Sequence, residues 1–164
     1  MGSTKIELRC FQLTDVPKVF QMSKEKSLIH FLPDQEYADL EEAEEVLSYL
    51  MAQYSENERI EKFPFVLGIE RTSSDELIGH IGVSQVKEGI ELGYAIEETY
   101  QGMGYASLAV EKMCQKIAAD STLSDIYGIV DPENKASIRV LEKSGFVKAT
   151  QAKDKLYYQL QIVR

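Results

Sequence analysis

Between a strand-like run, Glu91-Leu92-Gly93-Tyr94-Ala95-Ile96, and a long amphipathic stretch stands Gln101-Gly102-Met103-Gly104-Tyr105-Ala106-Ser107. Glycines at the mouth of a helix remove the Cβ atoms that would hold an anion away from the backbone. The N–H groups of the first helical turn then point at the ligand. The positive end of the helix adds about 0.3–1 kcal/mol for a nearby anion. A loop of this build is a device for gripping a diphosphate. Further on, Asn134 and Ser137 stand three apart at the start of a second helical stretch. On the strand before the loop, Glu91 alternates onto the same side as Gly93 and Ala95.

The surrounding elements have to hold these groups in place. Lys5–Arg9 alternates as a strand, and Thr14 is read as the cap of a short helix ending near Met22. Residues Gln21 to Tyr37, with Pro33, read as irregular. Asp39-Leu40-Glu41-Glu42 has the residues of a capping box, and the apolar positions from Leu40 to Tyr54 recur at helical spacing. Strands are expected at Phe63–Arg71, Glu76–Val86 and Gly89–Ile96, separated by turns at Thr72–Asp75 and Lys87–Gly89. A helix follows the glycine loop to about Ala119, then a short buried strand at Asp125–Val130. Asn134 caps a helix that Gly145 ends, and Phe146–Thr150 and Leu156–Val163 are the last strands. Hairpins early and late make the sheet mostly antiparallel. The strand–helix–strand unit from Glu91 to Val130 demands one parallel pair, by the right-handed crossover rule. The fold class is α/β (α+β), a mixed sheet with helices on both faces.

The 164 residues fit a single domain, 1–164, with 44% apolar and 27% charged residues in the globular, soluble range. No apolar run reaches a membrane span, so no membrane partner is expected. A net charge of -9 argues against a nucleic-acid binder and repels polyphosphates at long range. Affinity for such a ligand therefore falls to local N–H donors and nearby Lys or Arg. Cys10 and Cys114 are read as buried thiols of a cytoplasmic protein. No Cys/His cluster has metal-ligand spacing, and no metal is expected.

Gln101-Gly102-Met103-Gly104-Tyr105-Ala106 resembles the Gln/Arg-x-x-Gly-x-Gly/Ala signature of the GNAT N-acetyltransferase superfamily. Asn134-Lys135-Ala136-Ser137, followed by Glu142-Lys143-Ser144-Gly145-Phe146, resembles a segment of its RimJ/RimL-like branch. Glu91-Leu92-Gly93-Tyr94 looks like that branch's strand before the loop, and the likeness runs from about Lys5 to the C-terminus. The resemblance implies acetyl-coenzyme A as donor and an amine as acceptor. It implies that the backbone of Tyr94, Ala95 and Ile96 pairs with the pantetheine arm, and that Gln101–Ser107 holds the diphosphate. It also implies that strands 91–96 and 125–130 splay to form the acyl slot, with Asn134 beside the pantetheine.

Acetyl transfer to an amine needs a base, donors for the oxyanion and a partner for the departing thiolate. Glu91 is the candidate base, set against a solvated strand glutamate. Many superfamily members place a tyrosine acid seven residues after the helix-opening Asn; here Leu141 stands there, so that role is not carried over. Ser137 matches the branch's serine near the sulfur, set against a first-turn serine bonded to the cap. His80 and His30 are weighed as cleft-facing or structural. The competing functions are an inactive acyl-coenzyme A-binding sensor or assembly module and a dinucleotide-binding oxidoreductase. The oxidoreductase fails because Ser107 occupies the third glycine position and three strands precede the unit. The acceptor is a protein N-terminus, a polyamine or another small amine, and the assembly a monomer or homodimer. The region from Gln21 to Tyr37 and the turn at Thr72–Asp75 are expected to shape the acceptor's pocket.

Overall fold

Strand β1 (Ile6–Arg9) opens the computed structural model, which describes residues 5–164; the first four residues of the expected domain lie outside the described residues. A single-turn 3-10 helix at Leu13–Asp15 leads into α1 (Val16–Ser23). The cap is Asp15 rather than the expected Thr14. Its carboxylate accepts the Gln12 N–H at 2.8 Å and is gripped by Arg9 Nη1 and Nη2 at 2.9 Å, while Pro17 sits in the first turn, where its missing N–H costs nothing. Thr14 Oγ1 reaches only the Gln12 side chain.

The stretch expected to be irregular contains a helix, α2 (Lys26–Phe31). It has six residues and no side-chain cap of its own. What fixes it is tertiary: the Glu98 carboxylate accepts the Ser27 N–H at 2.9 Å, and Glu25 in return accepts the Glu98 N–H at 3.1 Å. Helix α3 (Leu40–Met51) is capped by Asp39, which accepts the Glu42 N–H at 2.8 Å. Glu42 reaches back to the N–H of Ala38, one residue earlier than a standard box.

Strands β2 (Phe65–Arg71), β3 (Glu76–Val86) and β4 (Gly89–Ile96) form a meander; β2 starts just after Pro64, which has no N–H to give the ladder. Then come α4 (Tyr105–Asp120), β5 (Asp125–Val130), α5 (Lys135–Lys143), β6 (Val147–Ala152) and β7 (Lys155–Gln161). The seven strands lie in the order β1-β2-β3-β4-β5-β7-β6. All neighbours are antiparallel except β4 and β5, which are parallel. The mixed, mostly antiparallel sheet with flanking helices is therefore the architecture the element order called for.

One face of the sheet packs on α4 through Ala109, Val110, Met113 and Ile117, all at 0% exposure and meeting Leu67, Ile69 and Ile81. The other face carries α1 and α3 through Val16, Val19, Ala43 and Leu47 against Leu77 and Phe11. Of the two cysteines, both expected to be buried, Cys114 is half-buried and its thiol is pushed up to about 11 by desolvation, but Cys10 is exposed, while the side chain of Phe11 beside it turns into the core.

Gly82 marks a close approach of β3 to β2. A Cβ there would lie 2.7 Å from Val66 Cα and against the Phe65 carbonyl, both backbone atoms that move only with the strand. Gly82→Ala is expected to cost about 1–3 kcal/mol, lowering the melting temperature by roughly 2–10 °C. A thermal melt at the wild-type value would show that the two strands part more easily than this packing allows.

Candidate active site

Parallel strands β4 and β5 meet at one bridge, Glu91 opposite Tyr127, and diverge beyond it. From Leu92 to Ile96 the β4 edge facing β5 has no strand partner among the described residues; the Ile96 carbonyl is taken by the Gln101 side chain, and the edge before it remains available. Into this gap opens a cleft of about 540 Å³. The residues singled out in the sequence converge on it. Glu91, Tyr94, Ala95 and Ile96 line it from β4, and Asn134 and Ser137 line it from the start of α5. Gln101, Gly102, Gly104, Tyr105, Ala106 and Ser107 close its end.

Met103 stands apart: its side chain is 52% exposed and does not line the cleft. The Tyr105 ring turns into the core, where its hydroxyl accepts from Arg71 Nε at 3.0 Å, so only its backbone is free to serve a ligand. Gln101 works as a brace. Its Nε2 donates to the Ile96 carbonyl at 2.9 Å and to Ser27 Oγ at 3.3 Å, tying the end of β4 to α2.

The loop backbone explains its glycines. Gly102 has φ +75° and Gly104 φ +89°, a region that L side chains rarely adopt, and a Cβ on either would project into open space. Gly104 occupies the N-cap position of α4 with no side-chain cap, and the N–H groups from Gly102 to Ser107 have no acceptor among the described residues. Sixteen residues of helix lie behind them. The cradle suits an anion with several oxygens.

The match with known families agrees with this geometry. Residues 5–147 fit the family described as Acetyltransferase (GNAT) domain. The chain belongs to the GNAT acetyltransferase family. It is 27% identical over 143 residues to the "Uncharacterized N-acetyltransferase YnaD" of Bacillus subtilis (strain 168), covering 86% of this chain and 78% of that one. Among solved structures, the ribosomal-protein-S5-alanine acetyltransferase from Vibrio fischeri superposes with a TM-score of 0.82 at 20% identity, over 99% of this chain and 96% of that one. The spermidine N-acetyltransferase from Vibrio cholerae does so with a TM-score of 0.79 at 16% identity, over 98% and 97%. At these identities the structures share the fold.

Within the GNAT cleft the titratable groups differ sharply. Glu91 is half-buried, and desolvation, with the nearby Glu88 carboxylate, pushes its carboxyl up, against a smaller pull from Lys155. The register places Glu91, Gly93, Ala95 and His80 on one face of the sheet. Burial drives the His80 imidazole down to about 4, which keeps it neutral, and it does not line the cleft. His30 is exposed, packs edge-on against Phe31 and lies off the cleft too. The Thr72–Asp75 turn, expected to help shape the acceptor pocket, is likewise absent from its lining.

Three features of the site differ from or add to the sequence reading. The stretch 21–37, expected to shape the acceptor pocket, does line the cleft, but as a helix: α2 and the residue after it supply a wall of Ser27, Leu28, Phe31 and Leu32. Arg139, Lys143 and Lys155 line the cleft against only two carboxylates, Glu91 and Asp131, so the site is locally cationic in a chain of net charge -9. The four-residue spacing of Arg139 and Lys143 behind the Asn134 cap was the available signal. The third is a hydroxyl pair across the gap: Tyr94 donates to Ser137 Oγ at 3.1 Å. Leu141, 1% exposed, packs over Gly128, where a Cβ would come within 2.8 Å of its methyl groups.

Among the described residues no three His, Cys, Asp or Glu side chains gather as metal ligands would, and no helix is long and apolar enough to cross a membrane.

Proposed function

We propose that this chain is an acetyl-coenzyme A-dependent N-acetyltransferase of the RimJ/RimL type, acting as one catalytic domain in the cytoplasm. It passes an acetyl group directly to a primary amine, either a protein N-terminal α-amine or a small amine. The observation that carries this reading is the pairing of a splayed β4–β5 gap with unpartnered N–H groups at the helix mouth beside it. The first admits an extended thioester arm; the second suits its diphosphate.

In this reading Gly102–Ser107 bind the diphosphate, with Arg139 and Lys143 adding charge. The free edge of β4 at Tyr94–Ile96 pairs with the pantetheine amides, and Asn134 stands beside them. Glu91 takes the proton of the attacking ammonium, directly or through water, and its desolvation suits a base working near neutral pH. Ser137 hands a proton to the sulfur as the C–S bond breaks. Positioning in the slot supplies several kcal/mol more, on the order of the effects seen in intramolecular reactions.

The test is a thermal shift with acetyl-coenzyme A and with NAD, followed by free-thiol release against a panel of N-terminal peptides, polyamines and simple amines. A shift with acetyl-coenzyme A alone and thiol release with at least one amine is the expected result. A shift with no release from any amine would favour the inactive acyl-coenzyme A-binding module. A shift with NAD instead would remove the reading altogether.

A further inference from the structure

Ser137 lies in the first turn of α5, and two different groups hold it. Its backbone N–H donates to Asn134 Oδ1 at 3.2 Å, which completes the helix cap. The cap therefore uses the amide and leaves the hydroxyl. That hydroxyl meets the Tyr94 phenol, 3.1 Å away on β4. The Tyr94 ring packs against the main core, so the phenol is fixed in place, and both side chains line the acyl cleft. A phenol is the stronger acid of the two and donates, and burial keeps its proton in place at neutral pH. Serine has one proton. With its oxygen accepting from Tyr94 and no acceptor for its own O–H among the described residues, that proton is left to the cleft.

We propose that Tyr94 is a positioning residue for the acid step, holding Ser137 Oγ so that the serine proton faces the departing sulfur. This rests on the acetyltransferase reading above and adds to it a phenol on β4. The position on α5 where a tyrosine would stand in many relatives is filled by buried Leu141. In the step, the neutral amine left once Glu91 has taken the ammonium proton bonds to the carbonyl carbon and releases one further N–H proton to solvent, while the C–S bond breaks, its electron pair going to sulfur. Ser137 passes its proton to the sulfur as Tyr94 passes its own to Ser137 Oγ. The phenol regains a proton from solvent as products leave.

The experiment is a double-mutant cycle on Tyr94→Phe and Ser137→Ala, reading kcat and the KM for acetyl-coenzyme A with a competent amine. Ser137→Ala is expected to lower kcat about a hundredfold, and Tyr94→Phe about tenfold. The double variant should match Ser137→Ala alone, because the phenol acts only through the serine. KM and the thermal shift with acetyl-coenzyme A should stay at wild-type values in all three, and Ser137→Thr, which keeps an Oγ, should retain most of the rate. A Tyr94→Phe enzyme at full rate, or a loss that multiplies with that of Ser137→Ala, overturns the role of Tyr94. A Ser137→Ala enzyme at full rate, or a Ser137→Thr enzyme as slow as Ser137→Ala, removes both residues from the acid step while leaving the acetyltransferase reading intact. Absence of thiol release by the wild-type protein defeats that reading and this inference together.

Discussion

Gly104→Val is expected to abolish acetyl-coenzyme A binding while leaving the fold standing. Gly104 holds φ +89° at the mouth of α4, and a β-branched residue is strained there by about 1–2 kcal/mol. The loop can relieve that strain only by turning its peptide planes, which aims the N–H groups of Gly104–Ser107 away from the diphosphate. If it does not turn, the valine methyl groups occupy the open space into which the Cβ projects. Losing two hydrogen bonds to a charged ligand, at about 1.5–3 kcal/mol each, weakens binding at least a hundredfold. Beyond its own chain neighbours, no protein atom lies within 4 Å of the added Cβ, so tertiary packing is untouched there and the melting temperature should fall by only a few degrees. The measurement is the acetyl-coenzyme A-induced thermal shift, with titration calorimetry for the affinity. Binding preserved in this variant would mean that the loop does not hold the diphosphate.

Glu91→Gln should lower kcat by roughly a hundredfold, within the usual range for loss of a general base, with acetyl-coenzyme A binding near normal. The pH dependence carries the sign. Burial raises the pH at which Glu91 ionises, so the wild-type rate climbs as pH rises through that raised value. The variant lacks this limb, and its optimum moves up towards the acceptor's own range, about 8 for an α-amine and about 10.4 for a lysine side chain. Stability moves the other way. A carboxyl whose folded-state value lies above its unfolded value contributes most below about pH 4.3. That contribution is lost as pH rises through the folded value, so at neutral pH the charge weighs against the fold. The glutamine variant should therefore melt no lower than wild type at pH 7. Unchanged kinetics would discard Glu91 as the base, and a lower melting temperature would mean that the carboxylate is a structural partner.

The placement of these two residues, on β4 and at the mouth of α4, was legible in the sequence because their surroundings are local. Glu91, Gly93 and Ala95 share a face by the two-residue period of a strand, and the β3 register repeats that alternation. The glycine loop was readable because positive φ is a property of single residues. Asn134 declared itself as a cap for the same reason, its side chain reaching only to Ser137 three residues on. Helix α2 was not readable: six residues with no cap of their own give no periodic signal, and the bonds that hold it come from Glu98, far along the chain. The cap falls on Asp15 and not on the expected Thr14, because the partner that holds its carboxylate, Arg9, comes from β1 and not from the helix itself.

Local pattern thus determined the order of the seven strands and of every helix but α2, the single parallel pair and the glycine loop that opens α4, since each follows from periodicity, chirality or backbone freedom over a few residues. Only the tertiary structure decided what closes the cleft and how its groups are tuned. The α2 wall, the cations of α5 and β7, the desolvation of Glu91 and the Tyr94–Ser137 hydrogen bond all arise between segments distant in the chain. Burial and hydrogen-bond partners depend on which surfaces meet in space, and no spacing along one strand or helix encodes them.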